Sequence, residues 1–139
     1  ALPISVKSSE KLNSKNILCN KAKILQASVS DMPFDNNTFD NITAVETYYF
    51  WPDKENDVKE VFRVLKQGGT VMLLFEMLRT DDDPFKWEKV ENMLNIKSVT
   101  PQEIRAVLES AGFENINTYT KEGTTWLCAT AQKPKGDEN

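Results

Sequence analysis

Four aromatic residues stand in a row, Tyr48-Tyr49-Phe50-Trp51, directly after Glu46 and Thr47. Ring faces attract cations, so a loop of this composition suits a positively charged ligand, and the same rings can shape the site of a small acceptor. The bland alternative is that some of these rings pack against the helix that begins at Asp53. A second candidate lies upstream in Ser30-Asp31-Met32-Pro33. A carboxylate there can accept a hydrogen bond from an exocyclic amine, or it can simply start a turn before the proline. The chain has no histidine and two cysteines, Cys19 and Cys128, far apart and in no metal-site spacing. That removes imidazole general bases and Ser-His or Cys-His nucleophiles, and leaves no metal ligands to nominate.

The composition limits what those groups can serve. With 139 residues, 40% apolar and 27% charged, one globular domain with a core is expected. The formal net charge is −4 and no Lys/Arg block stands out. A phosphate-backbone binder needs a basic face, so nucleic acid is not an expected partner. No apolar run reaches the length that spans a bilayer, and Ala1 to Ser5 lacks the character of a signal peptide. The reading is a soluble, cytoplasmic protein with no membrane partner.

Several elements must position the candidate groups. Pro3 to Leu18 reads as a helix, with proline in its first turn. Lys23 to Val29 reads as a strand closed by Ser30, Asp31 and Pro33, and Asn41 to Glu46 as another. Asp53 caps a helix whose Val58, Val61, Phe62 and Leu65 form one apolar stripe, stopped by Gly68 or Gly69. Val71 to Phe75 is apolar throughout, the pattern of an interior strand covered on both sides. Asp83-Pro84 predicts a helix start, and Thr100-Pro101-Gln102-Glu103 a stronger one, with Gly112 as its stop. Phe113–Tyr119 and Thr124–Ala131, joined by a short turn, predict an antiparallel pair. The domain is expected to span residues 1–133, with 134–139 a flexible tail.

Taken in order, Ser28 to Phe34, Thr38-Phe39-Asp40, the strand into Glu46-Thr47, Leu65-Lys66-Gln67-Gly68-Gly69-Thr70 and Val71 to Glu76 resemble a known series. It is the downstream motifs of the class I S-adenosylmethionine-dependent methyltransferases, methyltransferase type 11-like. The resemblance implies an α/β, Rossmann-like, mostly parallel sheet with a C-terminal antiparallel hairpin. It implies S-adenosylmethionine as cofactor and methyl transfer to a small-molecule acceptor. Asp31, with Ser30 beside it, would take the adenine amine, and the Met32 N–H would meet the ring. Glu46 and Thr47 would pass the methionine end, while Tyr49 and Trp51 would border the acceptor. No catalytic side chain is implied.

The family's Gly-rich turn is missing, because none of the five glycines lies before Gly68. The match begins after strand 2, so the fold is expected to lack strands 1 and 2, which in the family order separate strand 3 from strand 4. Strand 4 would then have an open edge. Strand 3 would pair directly with it, or a second copy of the chain would fill the gap as a homodimer. The resulting expectation is a truncated domain, weak or inactive alone. The competing reading is a non-catalytic methyltransferase-like module that dimerises or binds a partner through that edge. A dehydrogenase-like nucleotide domain is the third, disfavoured by the absence of G-x-G-x-x-G.

Overall fold

The structure is a computed structural model and describes residues 3–137. Ala1, Leu2 and the last two residues of the expected tail lie outside the described residues. Two short helices come first, α1 (Ile4–Leu12) and α2 (Ser14–Leu18). The single helix predicted from Pro3 to Leu18 is broken at Asn13, whose backbone N–H and side-chain amide both donate to the Ser9 carbonyl. Asparagine competes with helical hydrogen bonding in this way, which makes it a poor interior residue. Neither helix buries a residue.

Lys23 to Val29 is not a strand, a correction to the sequence reading. One isolated antiparallel bridge, Ser28 with Asp31, is all the pairing it has. It does not slide beside the next strand, β1 (Phe39–Val45), either: β1 has one partner and stands at the edge of the sheet. The apolar residues that suggested a strand act instead by packing, since Val29 and Met32 lie against the core.

From β1 the chain crosses through α3 (Lys54–Val64) to β2 (Leu65–Phe75), which pairs parallel with β1. The Asp53 side chain caps α3 by accepting from the Asn56 N–H. The helix ends at Val64 and β2 begins at once, so Gly68 and Gly69 do not stop the helix as predicted. They sit inside β2, where the register jumps from Phe39 opposite Leu65 to Asn41 opposite Thr70. Gly68 takes φ +77°, and a Cβ on Gly69 would stand 2.8 Å from the Asp40 carbonyl. Both glycines therefore serve a bulge and a close strand approach.

The predicted start at Asp83-Pro84 gives only a turn, and α4 (Glu88–Leu94) begins later. Trp87 anchors that entry, its indole N–H donating to the Leu78 carbonyl at 2.9 Å. Helix α5 (Pro101–Ala111) has the full capping box of Thr100 and Glu103 and ends at Gly112, φ 101°. Strands β3 (Glu114–Thr120) and β4 (Leu127–Gln132) form the expected antiparallel pair. The described residues thus form an α/β fold around one four-stranded sheet, ordered β1-β2-β4-β3, with one parallel and two antiparallel pairings.

Side chains alternate across a strand, so β2 has two different surroundings. Val71, Leu73 and Phe75, with Leu127, Ala129 and Ala131 opposite them on β4, are sealed in a core shared with Val58, Val61, Ile104 and Leu108. On the other face Met72, Leu74 and Cys128 are only half-buried, and Val45 and Tyr119 are exposed. The predicted burial of β2 on both sides holds for one side only. Lys133 closes the sheet's lower end. Its ammonium donates to the Phe62 and Leu65 carbonyls at 2.8 and 2.9 Å and to the Asn37 Oδ1 at 2.9 Å. A cation suits the free carbonyls at a helix C-terminus, although burial pushes the Lys133 pKa down.

Candidate functional site

A cleft of about 940 Å³ runs along β1 from Phe39 to Val45 and on to the loop Glu46–Trp51. Ile42 and Ala44 form its floor, the unpaired stretch around Leu25 and Val29 one wall, and the loop from Glu46 to Trp51 the other. Open α/β sheets place ligands at the carboxyl ends of their strands, where the Glu46–Trp51 part of this cleft lies, and the volume is in the range of small-molecule sites, about 300–1,000 Å³.

Two α3 side chains hold the first wall. The Arg63 guanidinium donates to the Phe34 carbonyl at 2.7 Å, the Met32 carbonyl at 3.1 Å and the Asn36 Oδ1 at 3.0 Å. Glu60 accepts from the Met32 N–H at 2.9 Å and pairs with Arg63 at 2.7 Å. The Arg63 hydrogen bond holds the Glu60 carboxyl below the usual range. Sequence reasoning missed this clamp. Glu60 and Arg63 lie one turn apart on the helix, a spacing that signals only a local ion pair.

The structure brings some of the sequence-selected residues together and not others. Met32, Glu46, Thr47 and Trp51 all line the cleft. Ser30 and Asp31 are exposed and outside its lining. The Met32 N–H is taken up by Glu60, so what Met32 offers the cleft is its side chain. Tyr49 lies in the core, not in the cleft. Its hydroxyl accepts from the Met77 and Glu76 N–H groups at 2.9 and 3.0 Å and donates to Glu46 Oε1 at 3.2 Å. Glu46 adopts φ 56°, rare for a residue with a side chain, and its carboxylate also accepts from the Glu76 N–H. The ends of β1 and β2 are thereby tied together under the cleft.

The aromatic run divides evenly. Tyr48 and Tyr49 turn inward and meet the Phe75 ring edge-on at 5.5 and 5.8 Å. Phe50 and Trp51 stay at the cleft. Burial pushes both tyrosine pKa values up to about 12. Lys54 already sits over the Tyr48 face at 5.3 Å, so Trp51 and Phe50 are the rings left to face a ligand cation. Among the described residues no His, Cys, Asp and Glu group could hold a metal ion, and no helix is long and apolar enough to cross a membrane. The arrangement can bind, orient and shield; it has no strong base to offer.

Residues 3–73, just over half of the chain, match the model of the methyltransferase domain family. The chain belongs to the class I S-adenosylmethionine-dependent methyltransferase family. It is 29% identical over 126 residues to the methyltransferase YdaC of Bacillus subtilis, which covers 89% of this chain and 64% of that protein. It is 32% identical over 136 residues to the ubiquinone/menaquinone biosynthesis C-methyltransferase UbiE of Cronobacter sakazakii, covering 82% and 54%. The chain thus spans between about half and two-thirds of the length of these curated relatives. A SAM-dependent methyltransferase from Thermotoga maritima shares its fold, with a TM-score of 0.69 at 20% identity over 90% of this chain and 70% of that one. S-adenosylmethionine is the cofactor of this methyltransferase family.

Proposed function

We infer that this methyltransferase-family chain serves methyl transfer from S-adenosylmethionine to a small-molecule acceptor. The observation that carries the reading is that Glu46, Thr47 and Trp51, which follow the carboxyl end of β1, line the same cleft as Met32. The cofactor supplies the activated methyl group; the chain aligns two substrates and keeps water away. Trp51 faces the cleft as a ring for the cationic end, and Thr47 offers a hydroxyl beside it. Glu46, fixed by Tyr49 and the Glu76 N–H, keeps that wall rigid. UbiE is named as a C-methyltransferase of quinone biosynthesis, which favours a small organic acceptor here too. The cleft's outer wall is an unpaired stretch of chain, so the 139-residue chain is expected to hold the cofactor weakly and to turn over slowly or not at all.

Isothermal titration with S-adenosylhomocysteine tests this. The expected result is saturable heat with a dissociation constant of about 0.1–1 mM, weakened at least about fivefold by Trp51→Ala. No heat at the highest soluble ligand concentration overturns the reading.

The free edge of β1 favours a second reading, a non-catalytic module that pairs with another copy through that strand. Light scattering after gel filtration separates the two. A dimer lost on introducing proline at Thr43 supports edge pairing, and a monomer at all concentrations removes it.

A further inference from the structure

We propose that a second cavity, on the far side of Tyr48 from the cleft, is a binding site for a small oxyanion, a carboxylate or phosphate group. It measures about 550 Å³ and is lined by Tyr48, Lys54, Arg79, Lys97, Ser98 and Glu103, among others. Its charge is unbalanced: three cations face one carboxylate. Glu103 is already engaged, with Arg79 at 2.7 Å and with the Thr100 N–H in the capping box. The nearby Glu91 accepts from the Ser98 N–H and hydroxyl, and its charge also acts on Lys97 and Arg79, so with Glu91 counted the excess is one positive charge.

Each cation keeps donors to spare. A guanidinium has five N–H groups and Arg79 uses one nitrogen on Glu103. The Lys54 ammonium has three donors, of which two go to the Tyr49 and Trp51 carbonyls at 3.3 Å. Lys97 makes no ion pair among the described residues.

A further donor on the same cavity is Tyr48. The residue is 6% exposed and lines the cavity, and its hydroxyl is not among the sealed atoms left without a partner, so it stays open to the cavity. A hydroxyl at a cavity wall can donate to a ligand or a water there. The tyrosine's raised pKa, due first to burial and then to the Glu103 charge on the same cavity, keeps it a neutral donor at physiological pH. Charge-assisted bonds from Arg79 and Lys97, with the Tyr48 O–H as a third donor, match the lone-pair geometry of a carboxylate or phosphate. The site needs no bound cofactor, so its test stands or falls apart from the methyl-transfer reading.

The experiment is amide chemical-shift mapping of the isotope-labelled chain in about 100 mM NaCl, where loose surface attraction is screened over about 10 Å. Succinate and inorganic phosphate are titrated separately, and the tighter of the two identifies the oxyanion class. Saturable shifts confined to Tyr48, Arg79 and 97–99 are expected. The double variant Arg79→Gln, Lys97→Gln should weaken binding at least about tenfold, and Tyr48→Phe about threefold. Glu103→Gln, which can still cap α5, should tighten it about threefold by removing the competing charge. That gain cannot come from a damaged fold. Absence of saturation by about 50 mM of either anion, or equal binding by the double variant, overturns the proposal.

Discussion

The two faces of β2 belong to the same eleven residues, yet they live in different solvents. On one face Val71, Leu73 and Phe75 are at most 1% exposed, locked under α3 and α5. On the other, Met72 and Leu74 keep part of their surface in water, next to an exposed Val45. An apolar run therefore records what a strand can tolerate on both sides, not what has been placed there. The stability of the domain should reside almost wholly on the α3/α5 face, and the half-open face should contribute little.

The largest expected effect follows directly. Leu73→Ala should cost about 3–4 kcal/mol and Leu74→Ala about 1 kcal/mol or less, read from urea unfolding midpoints. Equal losses would break the comparison. Next is the clamp at the sealed face's end. Lys133→Ala should cost about 2 kcal/mol because it abandons the carbonyls at the end of α3. Lys66→Ala, whose partner Asp40 is 79% exposed, should cost about 0–0.5 kcal/mol.

Alkaline pH sharpens the contrast further. Tyr48 and Tyr49 stack on Phe75 and have folded pKa values of about 12 against an ordinary 10. Above pH 10 the unfolded chain loses these protons first, so their contribution is complete below pH 10 and disappears as pH climbs toward 12. Thermal melts across that window should fall steadily, and the double variant Tyr48→Phe, Tyr49→Phe should flatten that part of the decline. The smallest effect is chemical. Cys128 lies on the half-open face, and burial holds its thiol pKa up. It should react with a thiol reagent in the native protein, more slowly than exposed Cys19 and at a rate independent of low urea. Labelling only on global unfolding would mean that this face is closed.

How much of this was legible in the sequence depends on the range of the forces involved. Helix α5 was readable because Thr100, Pro101, Glu103 and Gly112 act on their own neighbours. Helix α3 and the β3–β4 pair were readable for the same reason. Lys23 to Val29 was misread because a strand is made by its partner, and β1 offers it no ladder. The glycines at 68 and 69 carried a true signal for a special backbone, but only the Asp40 carbonyl reveals that strand approach demanded it. The clamp of Glu60 and Arg63 on Met32 and Phe34 joins residues about thirty apart, beyond any local pattern. Of the site residues, Glu46, Thr47 and Trp51 reach the cleft and Tyr49 does not. Which rings of the run turn inward is decided by the single helical turn at Tyr48–Phe50, whose phase the sequence leaves open.

The solitary partner of β1 leaves a mark that deuterium can read. In a parallel ladder the N–H groups of successive residues point alternately left and right. From Asn41 to Val45 every second amide should therefore be shielded by β2, while those between them trade hydrogen with the solvent as freely as a loop. Strand β2, flanked on both sides, should show slow uptake at every position from Val71 to Leu74.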